Sequence, residues 1–252
     1  HQNISDYEYT VENNKFKIGY SLSSIILLFP LKSTSNSNII NSVLSSSRTG
    51  DEVICVLDRE EHQLNLKLES KFSKTKVLKF VEMDKHQSES ELINEAVKLC
   101  NNPYLIILHS MAELPKNFIQ KLLEPFADKR VGAVVPLIDS FHYGQQSIHN
   151  LQMDFNSLKS VDLVNQRIAK SDKISELPLK HSSLFCAAIR TTVVKKIEGF
   201  DRNLSGELLD LDFSLRLRLK GYKLFVATNI FVGGFNDNPN HAVTNEEMHY
   251  FQ

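Results

Sequence analysis

Apolar and polar positions along the chain sort into short blocks. Ser24-Ile25-Ile26-Leu27-Leu28-Phe29-Pro30 and Glu52-Val53-Ile54-Cys55-Val56-Leu57 are continuous apolar runs, the mark of strands buried on both faces. The second ends at Asp58, and residues 76–82, 104–108 and 131–136 repeat the pattern. Helical periods lie between them. Residues 36–47 place Ile39, Ile40, Val43 and Leu44 on one face, and residues 61–72 are helical material. Ser88-x-x-Glu91 is a capping box opening a helix whose apolar face is Leu92, Ile93, Ala96, Val97 and Cys100. Pro115 suits a first helical turn, with Phe118, Ile119, Leu122 and Leu123 as the buried stripe. The first half therefore reads β-α-β-α-β-α-β-α-β: an α/β fold, a mostly parallel sheet with helices on both faces.

The second half is less regular. Residues 139–180 carry Phe141, Tyr143, Met153 and Phe155 among polar positions and read as a long excursion near a binding cleft. A strand over 184–189, a helix over 191–197 and a turn at Glu198-Gly199-Phe200-Asp201 follow. Residues 209–220 alternate strictly between apolar and polar. A period of two predicts a strand. Leu, Arg and Lys, an Asp212/Arg216 pair at i,i+4 and a stop at Gly221 predict a helix. Residues 223–226 and 230–232 read as two short strands. Residues 1–20 form an arm with at most one edge strand, and 236–252 a polar tail.

Composition narrows the function classes. The 252 residues are 42% hydrophobic, enough for a sizeable core, and the net charge of -1 with no basic block argues against nucleic acid. The longest apolar run is broken by Pro30 and falls short of the roughly 20 residues a membrane span needs. Cys55, Cys100 and Cys186 are far apart and lack CxxC spacing. They read as small buried hydrophobes in a reduced, cytoplasmic setting. No signal-peptide pattern is visible, and an opening on His1 gives the expectation of a piece of a longer protein.

The motifs in order resemble those of the GT-A glycosyltransferases of family 2, inverting sugar transferases of the hexosyltransferase type, over about residues 24–234. The family's strand ending in Pro-Thr-Tyr-Asn is matched by Pro30-Leu31-Lys32-Ser33, and its Val-Asp-Asp-Gly-Ser by Val56-Leu57-Asp58-Arg59-Glu60-Glu61. Asn94 matches an Asn in the helix before the metal motif. Where the family has Asp-x-Asp and Leu-Pro, this chain has His109-Ser110-Met111-Ala112-Glu113-Leu114-Pro115. Gly199-Phe200-Asp201 resembles Gly-Gly-Phe-Asp, and residues 209–218 with Gly221-Tyr222 resemble Glu-Asp-x-Asp-Leu-x-x-Arg-x-x-x-x-Gly-Tyr, which is helical in the family. The resemblance implies a single GT-A domain over 21–235. Residues 21–115 would form a nucleotide-binding half and 116–235 an acceptor half.

The resemblance also assigns chemistry. It implies a nucleotide-sugar donor, a UDP-sugar, and an unknown glycan, protein or lipid acceptor. Asp210 stands where the general base of an inverting transfer stands; the plainer reading is a carboxylate favoured near a helix N-terminus. Asp58 matches the carboxylate that accepts from the uracil ring, or is a strand-end turn residue. Pro30 and Asn94 complete the nucleotide-binding set. His109 reads in three ways: a residual metal ligand, a cation facing the diphosphate, or a polar residue closing a strand. Mn2+ or Mg2+ would need hard oxygen donors, and Met111 is a poor one, so only His109 and Glu113 are candidates to compensate. The family's late His falls at Gly233-Gly234, with His241 following. Departures gather around the donor while scaffold motifs survive. Two readings follow: a sugar transferase with altered or absent metal dependence, or a non-catalytic module of a larger glycosylating protein or complex. A nucleotidyltransferase ranks below both, because the first strand lacks a Gly-rich phosphate loop.

Overall fold

The apolar runs become the central strands of a computed structural model that describes residues 11–12, 15–16, 22–28, 36–84, 88–140, 143–151, 160–170 and 176–235. In chain order the elements are β1 (Val11–Glu12), β2 (Lys15–Phe16), β3 (Ser23–Leu28), α1 (Asn36–Ser46), β4 (Glu52–Asp58), α2 (His62–Phe72), β5 (Leu78–Met83), α3 (Glu89–Lys98) and β6 (Tyr104–His109). There follow α4 (Phe118–Leu123), β7 (Val131–Leu137), α5 (Val161–Ala169), β8 (Glu176–Pro178), β9 (Cys186–Arg190), α6 (Thr191–Lys196), α7 (Gly206–Leu219) and β10 (Lys223–Phe231).

Eight strands form one sheet in the order β5-β4-β3-β6-β9-β7-β10-β8, while β1 and β2 pair only with each other, so the single edge strand expected in the arm is instead a separate two-stranded antiparallel ribbon. β5, β4, β3 and β6 run parallel, as do β7 and β10. β9 is antiparallel to both β6 and β7, and β8 is antiparallel to β10. Because strands are buried on both sides, alternate residues feed two apolar layers. Ile26, Leu28, Ile54 and Val56 join α3, α5, α6 and α7 on one face. Ile25, Leu27, Val53 and Cys55 join α1, α2 and α4 on the other. The reversed β9 brings its own start, residues 182–185, to the edge where the parallel strands end.

Three further expectations need correction. Residues 139–180, read as a long excursion, contain α5, capped by Ser160, whose side chain accepts from Leu163 N–H, and the short strand β8. α4 begins at Phe118, three residues beyond Pro115, after an Asn117 cap at φ 59°. The two short strands expected at 223–226 and 230–232 are one strand, β10, with a register shift against β7 between Ala227 and Phe231. Asn165 takes up both backbone groups of Phe231 at that shift, accepting from its N–H at 3.0 Å and donating to its carbonyl at 2.8 Å. The capping box at Ser88 and Glu91 forms as expected, and residues 209–220 lie mostly in α7, a helix.

Candidate active site

In an α/β sheet the ligand-binding crevice lies outside the carboxyl ends of the strands. Here that edge collects His109 from β6, Asp58 from β4, residues 182–185 before β9 and residues 232–234 after β10. Backbone bonds stitch it together. Ser110 N–H donates to Leu28 O at 2.9 Å, and His109 N–H to Phe185 O at 3.0 Å. Glu113 and Gly233 exchange both backbone bonds at 3.0 Å.

The Glu89 carboxylate meets the His109 ring, with Oε1 2.8 Å from Nε2. Glu89 sits in the first turn of α3, so the Ser88 cap that starts the helix also sets where this carboxylate points. The imidazole stacks on Phe185, with ring centroids 5.6 Å apart, and Phe235 stands edge-on to Phe185 and to Tyr143. Burial pulls the His109 pKa down. The Glu89 charge and hydrogen bond, and behind them Asp210, outweigh that, and the net shift is upward.

Asp210 is 7% exposed and lies in the second turn of α7. Tyr143 Oη–H donates to its Oδ2 at 2.6 Å, and Leu184 N–H donates to its Oδ1 at 3.0 Å. Burial pushes the Asp210 carboxyl up to about 7 against the pull of these two donors; Glu89 adds to the rise and His109 opposes it. α7 is tied to the same loop a second time: Ser182 N–H donates to Ser214 Oγ, which itself donates to Asp210 O.

The other expected site residues fall differently. Asn94, expected at the nucleotide, is a clamp: Phe200 N–H donates to its Oδ1 at 2.9 Å, and its Nδ2 donates to Phe200 O at 2.7 Å. Its amide fixes the Gly199-Phe200 turn. Asp58 closes β4 opposite Met83. Neighbouring Arg59 pairs with Asp84 on the surface. Asp212 is bound to Arg216, whose guanidinium also reaches the Ile197 and Gly199 carbonyls. Pro30, Leu31, Lys32 and His241 lie outside the described residues. Glu113 is exposed, with its backbone paired to Gly233. No group of three or more His, Cys, Asp or Glu side chains able to hold a metal occurs among the described residues. Sequence reading missed Glu89 and Leu184. A carboxylate one position after a cap residue was a signal for the first, but nothing local pointed to the second.

Residues 37–197, more than half of the chain, match the model of glycosyl transferase family 2. The chain belongs to that family. Among solved structures, this family 2 domain is similar to GalNAc-T7 with UDP, GalNAc and Mn2+ (TM-score 0.67, 17% identity, 86% of this chain and 44% of that one). It is also similar to the mannosyltransferase PcManGT from Pyrobaculum calidifontis in complex with GDP-Man and Mn2+ (TM-score 0.64, 13% identity, 87% and 59%). At these identities the likeness is one of fold: a GT-A α/β domain. The family 2 domain spans about half the length of these two structures. No curated protein matches the chain. Among the described residues no helix is long and apolar enough to cross a membrane.

Proposed function

We propose that this domain transfers a sugar from a nucleotide sugar, a UDP-sugar, to an acceptor hydroxyl with inversion. The observation that carries the reading is a buried carboxylate, Asp210, held between the Tyr143 hydroxyl and Leu184 N–H at the carboxyl edge of the sheet, where burial raises its pKa to about 7. A general base works best with a pKa near the working pH. The Asp210 carboxylate takes the acceptor's hydroxyl proton as its oxygen bonds to the anomeric carbon. The bond from that carbon to the diphosphate oxygen breaks, and the nucleoside diphosphate leaves with the electron pair. Asp58 receives the base ring from the end of β4. His109 lies by the diphosphate, and the buried Ser110 hydroxyl, without a partner among the described residues, is left for a ligand oxygen. The neighbours solved with UDP and with GDP-Man support a nucleotide donor.

The residues present do not fit a tightly held Mn2+ or Mg2+. The His109 nitrogen that faces a carboxylate is committed to Glu89, Met111 offers a soft thioether at 47% exposure, and Glu113 is exposed. The reading is therefore a transferase with altered metal dependence. Calorimetry with UDP and UDP-sugars, with Mn2+ and with chelator, tests it. The expected result is similar affinity in both, together with donor turnover that disappears in Asp210→Asn. Absence of heat with every nucleotide overturns it.

One observation favours a second reading, a non-catalytic module of a larger glycosylating assembly. Both Asp210 oxygens are already engaged, so the side chain also serves as a tether between α7 and residues 182–184. Turnover that is lost in a folded Asp210→Asn protein eliminates that reading.

A further inference from the structure

The hydroxyl of Tyr143 is placed on Asp210 by more than chance proximity. Tyr143 opens the turn Gly144–Gln146, closed by Gln146 N–H donating to Tyr143 O at 2.9 Å. Its ring is wedged edge-on against Phe235, centroids 5.7 Å apart, and tilted against His181 at 6.3 Å. The phenol therefore approaches Asp210 Oδ2 from a direction set by the turn and by two rings.

With Leu184 N–H on the other oxygen, the carboxylate plane is fixed from both ends. An ionised carboxylate offers about four lone-pair sites, so two remain for an incoming proton. Among the described residues, the groups that act on this carboxylate and its phenol are His109 on β6, Glu89 on α3, Glu207 on α7 and the Ser183 hydroxyl before β9, and the His181 ring lies against the phenol. Of these, His109 favours the ionised carboxylate and Glu89 opposes it. Burial and the nearby carboxylates push the Tyr143 phenol far above its ordinary value, so it keeps its proton and acts as a donor throughout. The phenol is thus not itself a base.

We propose that Tyr143 is a positioning residue for the sugar transfer: its hydroxyl locks the Asp210 carboxylate in the orientation from which it takes the acceptor's proton. The inference rests on Asp210 being the general base.

Tyr143→Phe in the full chain removes the hydroxyl and keeps the ring against Phe235 and His181. The acidic limb of the kcat–pH profile moves up by about one unit, kcat at neutral pH falls roughly tenfold, and the donor KM stays in place. A carbon-13 NMR titration of the Asp210 carboxyl moves in the same direction and needs no turnover. A merely structural tyrosine would lower the unfolding temperature and leave the acidic limb of the kcat–pH profile where it was, even if the carboxyl titration moves; that result overturns the proposal while the transfer reading stands. A wild-type chain without turnover on any nucleotide sugar overturns the transfer reading and the proposal with it, and the carboxyl titration then reports only a structural pairing. If Tyr143→Phe does not fold, 3-fluorotyrosine placed at 143, a stronger donor, must move both titrations to lower pH; no movement overturns the proposal.

Discussion

Asp210 costs the fold stability in a way that pH reveals. Its folded-state pKa is about 7 against an ordinary 3.8, so the protonated side chain is favoured by folding. The stability this contributes is fully present below the unfolded value and is lost as pH rises through about 7. His109 acts with the same sign, because its folded value also lies above the ordinary 6.5. Its contribution is present below 6.5 and lost as pH rises through the higher folded value. The unfolding midpoint should therefore fall between about pH 5 and about pH 8, by roughly 3–6 °C. Asp210→Asn should flatten part of that slope and leave the share due to His109; calorimetric melts across the range check it. Asn94 makes the opposite kind of prediction. Its amide serves the Phe200 backbone on both sides, so Asn94→Ala strands an N–H and a carbonyl and costs about 1–3 kcal/mol. As a clamp it should leave nucleotide affinity unchanged; calorimetry on the folded variant separates this from a ligand role.

At the scale of elements, α7 shows why residues 209–220 misled a period count. On a helix, positions four apart share a face, so strict alternation yields two apolar stripes on opposite sides. Leu209, Phe213 and Leu217 are buried, while Leu211, Leu215 and Leu219 are 39%, 43% and 75% exposed. The Leu, Arg and Lys content, the i,i+4 pair of Asp212 with Arg216 and the stop at Gly221 favoured the helix locally. Leu217→Ala should cost about 2–5 kcal/mol and Leu219→Ala within about 0.5 kcal/mol, measured by urea denaturation; equal costs would contradict the helix. α5 went unread for a related reason. Its buried set is only Val164, Asn165 and Ile168, and Asn165 is polar because it serves the shifted register of β10 rather than the core. The apparent gap between two strands at 227–229 was a real signal of that same register shift, misread as a break. α3 was legible throughout, since its cap at Ser88 and its stripe from Leu92 to Cys100 are both local in sequence.

Across the whole molecule, the parallel half of the sheet was legible because each strand is a local apolar run and each helix a local period. Position 109 and Asp210 were reached through family motifs. Their partners were not legible: Glu89 lies 20 residues from His109, Tyr143 lies 67 from Asp210, and Leu184 lies 26 from it. Such pairs exist only once the sheet has brought the segments to one edge, and β9 running backwards is what delivers Leu184 there. The closure of that edge depends on a glycine that the sequence presented merely as a missing His. Gly234 has φ 81°, and a Cβ there would lie 2.0 Å from the Met111 carbonyl oxygen, which cannot give way without breaking the Glu113–Gly233 pairing. Gly221 has the same φ of 81° and nothing within 4 Å of its Cβ position. Gly221→Ala should therefore cost only the left-handed strain, about 1 kcal/mol. Gly234→Ala should cost that plus the displacement of the segment after β6, on the order of 3 kcal/mol or more. If the proposed nucleotide site lies at this edge, Gly234→Ala weakens UDP-sugar binding in calorimetry while Gly221→Ala does not. Equal losses in the two variants would place the binding site elsewhere on the domain.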